Sequence, residues 1–388
     1  MPSVPFLDLY AANKRVETAF YLRLKDLYRR SAFIGGPAVE TFERAFAAET
    51  GSPYCVAVSS GTAALHLSLV AAGVGSGDEV IVPAFTFPGA AGPVVHVGAR
   101  PVFVDVQGRD GCLDPASVAQ AVTHKTRAIL ATHLFGHPAN LDALRALVKK
   151  AKASGQNIAL IEDAAQAHGG SWRGKSLGTH GDFGCFSFYP TKNLGGLGDG
   201  GAILVKTKAH ATHLRRLRDH GQAQRFFPEE SGFNARMDAL QALFLKLKLP
   251  GLRAGNARRA ALAARYLRAL GAAAVDATFP DAPEPLIPDA RGISSWHAFV
   301  VHTPQRATLI RNLQLRNIGH QVYYPAALPD TPAFRAFATN AKNKRGEYPV
   351  ARELARTSLA LPLHPDLKVA DARAVLSAVL SLPLPTTL

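Results

Sequence analysis

The sequence predicts an α/β protein: a mostly parallel central sheet with helices on both faces, joined to a smaller C-terminal α+β domain. Three observations lead there. Up to residue 250, short β-branched runs alternate with helical patterns; polar and Gly-rich clusters follow the ends of those runs; and the texture of the chain changes after Pro250. Alternating strand and helix implies parallel strands whose crossovers cover both faces. Ligands of such sheets sit at the carboxyl ends of the strands, where the polar clusters of this chain fall.

The elements follow in order. YCVAVS is a strand, GTAALHLSLVAAG a helix and DEVIVPA the next strand. ARPVFVDV, RAILATH and IALIED are further strands, with a helical DALRALVKKAKA between the last two, and an aromatic strand runs into FSFYPTKNLGGLGDGG. Past Pro250 a helical stretch reaches about Gly271, followed by the Pro-rich FPDAPEPLIPDARG, a strand-like WHAFVVH and a closing helical DARAVLSAVLSL. Residues 1–250 are read as a large cofactor-binding domain and 251–388 as a small domain. The chain shows no internal repeat and no low-complexity tract.

Composition limits the class of molecule. With 388 residues, 47% hydrophobic and 19% charged, the chain can bury a large core. Lys14 and Arg15 follow the few apolar residues of the opening, and no apolar run approaches the ~18 residues of a membrane span, so neither a signal peptide nor a span is expected. Cys55, Cys112 and Cys185 are odd in number and widely spaced, which suits small core residues in a reducing cytoplasm and no metal site. The net charge of +15 is compatible with nucleic acid, an anionic membrane surface or anionic small substrates. Because the basic residues lie along helices such as NARRAALAARYLRAL and form no tail, a solvated Arg-rich surface and a site for phosphorylated ligands are the readings that fit.

Three clusters carry chemistry. SSGTAALHLSL sets Ser59, Ser60, Gly61 and Thr62 between a strand and a helix, so free N–H groups and the positive helix end point at one spot, although Ser and Thr also serve as plain helix caps. LIEDAAQAHGG ends a strand in Glu162, Asp163, Gln166 and His168; His168 reads equally as a site residue or a core histidine, and His133 and His137 read as structural. CFSFYPTKNLGGLGDGG holds Lys192 in a Gly-rich turn. Singly each has an ordinary structural explanation. Together they supply what pyridoxal phosphate requires: an anion cradle for its phosphate, a carboxylate for its ring nitrogen and an amine for its aldehyde.

At this point the chain resembles the DegT/StrS family of sugar aminotransferases, which are fold-type I enzymes. The likeness runs through FIGGPAVETFERAFA, SSGTAAL, GDEVIVPAFTF, HLFGHPANLD, IEDAAQAHG, FSFYPTKNLGGLGDGG, GFNARMDALQA, SSWHAFVV and LALPLHPDL. The resemblance implies that Lys192 carries pyridoxal 5'-phosphate as a Schiff base and later shuttles the proton. It implies that Asp163 pairs with the pyridinium nitrogen, Gln166 bonds the ring hydroxyl oxygen and Phe87 stacks on the ring. Gly61, Thr62 and Ala63 with the Ser187 hydroxyl would hold the phosphate, and Asn234 would reach the phosphate of the other subunit, making a homodimer with shared sites. Tyr189, Tyr323 and Tyr324 would contact the sugar nucleotide, although a tyrosine stands at 323 where many relatives have histidine.

The wording around Lys192 resembles most closely the relatives that aminate dTDP-linked 3-keto-6-deoxyhexoses, with glutamate as the expected donor. A 4-keto sugar nucleotide or a cyclitol is the alternative within the family. A non-catalytic regulator or nucleic-acid binder is disfavoured by the intact lysine, aspartate and cradle. Relatives with histidine in place of the lysine dehydrate the sugar, and Lys192 argues against that branch.

Overall fold

The computed structural model describes residues 3–275, 282–338 and 347–381. Met1 and Pro2 of the opening, Phe279–Asp281 of the Pro-rich stretch and Leu382 of the closing segment lie outside the described residues.

The centre is a seven-stranded sheet. Its strands are β1 (Tyr54–Val58), β2 (Glu79–Pro83), β3 (Arg100–Val104), β4 (Thr126–Thr132), β5 (Ala159–Asp163), β6 (Phe183–Ser187) and β7 (Gly201–Val205). They lie in the order β1-β7-β6-β5-β4-β2-β3. Only β7 runs against its neighbours; the other six point the same way. Val80, Ile81, Val82, Ile129, Leu130 and Ile161 are wholly buried, the pattern of strands covered on both faces. The β7 strand was not expected from the sequence. Its apolar GAILV continues directly from the Gly-rich turn, and no helical crossover separates it from β6 to announce another strand.

The covering helices used below are α1 (Glu17–Arg29), α2 (Gly36–Thr50), α3 (Gly61–Ala71), α4 (Leu141–Ala153), α5 (Lys208–Leu217) and α6 (Ala239–Lys248). Side-chain caps start several of them: Ser60 accepts from the Ala63 N–H, Asn140 from Ala143 and Thr207 from His210. On one face Phe42 and Phe46 of α2 pack edge-on against Phe186 and Phe188, burying a large aromatic surface under the lysine loop. The buried carboxylate Glu43, also on α2, accepts from the Ala57 N–H and from Arg215 and Arg218 of the α5 region, which locks β1 between two helices.

Beyond Pro250 come the long α7 (Leu252–Val275), α8 (Arg306–Leu315) and α9 (Val369–Leu380) around a small antiparallel sheet of Glu284–Pro285, Phe299–His302 and Ser358–Leu361. These elements form a second cluster of buried side chains, including Tyr266, Trp296, Phe299, Leu309, Leu361 and Val375. Val4 belongs to it too, through a bridge to Ile318, so the N-terminal strand segment crosses to the C-terminal part. Conversely Phe334, Tyr348, Ala351 and Leu354 pack into the core of the large sheet. Cys55, Cys112 and Cys185 are buried free thiols. Among the described residues no helix is long and apolar enough to cross a membrane, and no group of three or more metal-binding side chains occurs.

Candidate active site

The parallel strands bring their carboxyl ends to one edge of the sheet. β1 leads there to Ser59 and Ser60, β2 to Thr86 and Phe87, β4 ends at Thr132, β5 at Asp163 and β6 at Ser187; the antiparallel β7 starts at the same edge, with Gly201 facing Val58 and Ser187. A cavity of about 480 Å³ opens at this edge. Gly61, Thr62, Phe87, Asp163, Gln166, Ser187, Tyr189, Lys192, Tyr323 and Tyr324, all expected site residues, line it. So do Thr86, Thr132, Asp199 and His297, which were not singled out from the sequence. His297 lies within the quoted SSWHAFVV, and that motif was the available signal; Thr86 and Thr132 reach the cavity only because the topology sets two strand ends side by side.

Two expected residues fall elsewhere. Ala63 lies one residue beyond the lining, and its N–H is engaged by the Ser60 hydroxyl at 3.0 Å. Asn234 sits on an exposed segment bridged to Asp219 and does not line this chain's cavity.

One end of the cavity is an anion cradle. Ala63 and Ala64 donate to Ser60, but the N–H groups of Gly61 and Thr62 at the start of α3 have no partner among the described residues. A Cβ at Gly61 would lie 2.7 Å from the Ser187 Cβ, so only glycine lets the helix start come this close to the end of β6.

The acidic cluster of LIED is divided by the pleat of β5, whose successive side chains face opposite ways. Glu162 points into the protein and accepts from the N–H groups of Gly178, His180 and Gly181 at 2.7–2.8 Å. It also meets His133 Nε2 at 3.0 Å. His133 Nδ1 accepts from the Ala139 N–H at 3.1 Å, so Nε2 carries the proton and donates to Glu162. Burial opposes the charge on Glu162, yet these hydrogen bonds hold its carboxyl below the usual range. This buried pair fixes the turn that leads into β6.

Asp163 faces the cavity. Its carboxylate accepts from the Ala165 N–H at 3.1 Å and sits 3.5 Å from the Thr132 hydroxyl. Burial raises its pKa; the Ala165 N–H and then the Lys192 charge oppose that rise. Lys192 follows a turn closed by its own N–H on the Tyr189 carbonyl. Burial lowers its amine from 10.5 to about 8, and Asp163 is the group that pulls the value back up. Lys248 also falls to about 8 through burial, but its Nζ is tied to Asn13 Oδ1 and Gly195 O and lies outside this cavity. A depressed amine is therefore common to both lysines, and the company of Asp163 and the cradle belongs to Lys192 alone of the two.

Gln166 accepts from the Phe135 N–H at 2.7 Å and donates to the Tyr324 hydroxyl at 3.0 Å, which fixes both side chains in the cavity that Asp163 also lines. Phe87 is 57% exposed at the mouth and rests on Gly89, where an added Cβ would come within 2.9 Å of its ring. His168 is resolved as a core histidine: it packs between Phe46, Phe186 and Phe188, lines no part of the cavity, and burial holds its pKa down to about 3. His137 is buried likewise against Trp296 and Ser294.

Open amides at a helix start, a buried carboxylate and a depressed amine around one cavity fit an aromatic cofactor that carries a phosphate and an aldehyde. The profile of the DegT/DnrJ/EryC1/StrS aminotransferase family matches residues 15–380. The chain is 42% identical to the erythromycin biosynthesis sensory transduction protein EryC1 of Saccharopolyspora erythraea, over 94% of this chain and 95% of that one. It is 39% identical to the dTDP-3-amino-3,4,6-trideoxy-alpha-D-glucose transaminase of Streptomyces venezuelae, over 97% and 96%. Among solved structures, S. venezuelae DesV superposes with a TM-score of 0.90 at 39% identity, covering 98% of each chain. NtdA of Bacillus subtilis, solved with bound cofactor PMP, superposes with a TM-score of 0.86 at 27% identity, covering 98% of this chain and 85% of that one.

Proposed function

Because this chain belongs to the DegT/DnrJ/EryC1/StrS aminotransferase family, we propose that it is a pyridoxal-phosphate-dependent enzyme that moves an amino group from glutamate to a keto sugar nucleotide. The substrate of this proposal is a dTDP-linked 3-keto-6-deoxyhexose. The observation that carries the reading is the meeting of the Gly61 and Thr62 amides, Asp163 and Lys192 in one cavity. The substrate class is supported by the transaminase name of the S. venezuelae relative, and the net charge of +15 suits a nucleotide diphosphate.

In this reading the Gly61 and Thr62 amides and the Ser187 hydroxyl bind the phosphate at the positive end of α3. When bound, pyridoxal phosphate supplies an aldehyde for an amine to condense with and a ring that takes up the electron pair left when carbon loses a proton. Asp163 would face the ring nitrogen and keep it protonated, since a carboxylate there favours the charged pyridinium. Lys192 would offer its neutral amine as the nucleophile and would hold and move a proton at Nζ. Phe87 covers the ring face, Gln166 faces the ring hydroxyl with Tyr324 fixing its amide, and Tyr189 and Tyr323 border the sugar's path. We place this chemistry in the cytoplasm, on a large cofactor-binding domain of residues 1–250 joined to a small domain of 251–388. The unit is a homodimer in which the exposed Asn234 serves the neighbour's phosphate.

The test is to mix the purified yellow protein with ¹⁵N-glutamate and a panel of 3-keto and 4-keto sugar nucleotides and a keto cyclitol. The expected product is a ¹⁵N-aminated 3-amino sugar nucleotide, identified by mass and NMR. Amination of only the 4-keto sugar or the cyclitol overturns the substrate assignment. Protein that holds cofactor yet aminates nothing supports instead the regulatory role that the name of EryC1 suggests.

A further inference from the structure

Lys192 Nζ has no hydrogen-bond partner among the described residues, although a catalytic amine needs its lone pair aimed. The imidazole of His297 lines the same cavity, and its protonation is dictated by a chain of amides that begins at a backbone carbonyl. His168 O can only accept, so the Asn256 Nδ2 that lies 2.7 Å away donates to it. The Asn256 Oδ1 therefore faces Asn193 and accepts from its Nδ2 at 2.9 Å. Asn193 Nδ2 also donates to Ser295 O at 2.8 Å, which confirms the orientation of that amide. Asn193 is left presenting its oxygen to His297 Nδ1 at 3.2 Å, and Nδ1 must carry the hydrogen. His297 Nε2 then bears a lone pair with no partner among the described residues, on a side chain that lines the cavity.

The surroundings keep this ring neutral. Burial, the Lys192 charge and the Arg259 guanidinium together push the imidazole far below its ordinary pKa, and Arg259 itself donates to the carbonyls of Trp296 and His297. A carboxylate in this place would hold an ammonium ion on Lys192. A neutral imidazole instead accepts a hydrogen bond from an amine and leaves it uncharged.

We propose that His297 is a positioning residue for Lys192: its Nε2 accepts a hydrogen bond from Nζ and so aims the lysine lone pair at the aldehyde carbon of the cofactor. The proposal rests on the cofactor-binding reading above, but not on the identity of the sugar. In the step concerned, a C=N double bond to Nζ would replace the C=O double bond, and the aldehyde oxygen would depart as water with the two amine protons.

The experiment uses apoprotein and follows two quantities: the rate at which pyridoxal phosphate is captured covalently, read by absorbance, and the affinity for pyridoxamine phosphate, which fills the site without needing the lysine as nucleophile. His297→Ala is expected to slow capture by about tenfold at pH 8, the scale of one hydrogen bond, with unchanged pyridoxamine phosphate affinity. His297→Gln, which can offer an amide oxygen, is expected to restore most of the rate. ¹⁵N spectra of histidine-labelled apoprotein are expected to show His297 protonated at Nδ1 and bare at Nε2 from pH 6 to 9. Equal loss of capture and of pyridoxamine phosphate affinity would mean that His297 only supports the pocket. A wild-type rate in His297→Ala, or a proton on Nε2, would also overturn the proposal. Failure of wild-type protein to bind either cofactor form would instead refute the cofactor reading itself.

Discussion

Cofactor capture by apoprotein is expected to depend on pH as an amine of pKa about 8 demands. Burial moves Lys192 from 10.5 to about 8. Its neutral fraction rises as pH increases through that value. At pH 7 about one molecule in ten would have the free amine, against about one in three thousand for an unshifted lysine, so burial contributes a factor of ~300 to the reactive population. The assay is stopped-flow mixing of apoprotein with excess pyridoxal phosphate between pH 6 and 10, reading the rate at which the lysine-bound absorbance grows. The rate should climb about tenfold per unit below the midpoint and level off above pH ~8. Asp163→Asn removes the charge that pulls Lys192 upward, so the midpoint in that variant should move to lower pH. A rate still climbing beyond pH 10 would show that the amine is hydrated as on a surface. A midpoint that rises in Asp163→Asn would show that the two side chains do not face each other as the structure has them.

Other consequences follow from the same geometry. Asp163→Asn should keep cofactor yet slow amination by about 10²-fold or more, the scale of positioned charge and proton transfer; near-normal turnover would mean that another group protonates the ring. Gly61→Ala forces a Cβ to 2.7 Å from the Ser187 Cβ and should weaken pyridoxamine phosphate binding at least ~10-fold, measured by equilibrium dialysis, with the thermal midpoint as control for folding. Mixing Lys192→Ala with Asn234→Ala chains should restore about a quarter of the sites, because one of the two sites in each hybrid dimer then has both groups. If hybrids form and activity stays at the parental floor, Asn234 does not act across subunits.

Much of the sheet was legible because its strands are buried on both faces and read as short apolar runs between polar turns: β1 to β6 fall within a residue or two of YCVAVS, DEVIVPA, ARPVFVDV, RAILATH, IALIED and the aromatic strand. The sequence concealed β7, whose GAILV follows the lysine turn with no helix before it, and Ser358–Leu361, which follows directly on a short helix. At the site, residues adjacent along the chain were easier to find than residues adjacent in space. Lys192, Asp163 and Gly61 announce themselves by local motif, whereas Thr86, Thr132 and His297 come together only when separate strands and the C-terminal segment meet. Equally, the sequence could not divide Glu162 from Asp163 or settle His168: which carboxylate faces the cavity is decided by the pleat of β5, and His168 is enclosed by phenylalanines from α2 and β6 and its following residues.

In this reading Lys192, and no other amine, carries the cofactor. Holoprotein reduced with borohydride and digested should yield a single phosphopyridoxyl-modified peptide, spanning Lys192, and the Lys192→Ala variant should yield none. Lys248 is the internal control, since burial depresses it equally but leaves it outside the cavity. A modified peptide that spans Lys248, or label spread over surface lysines, would show that Lys192 is not the residue that carries the cofactor.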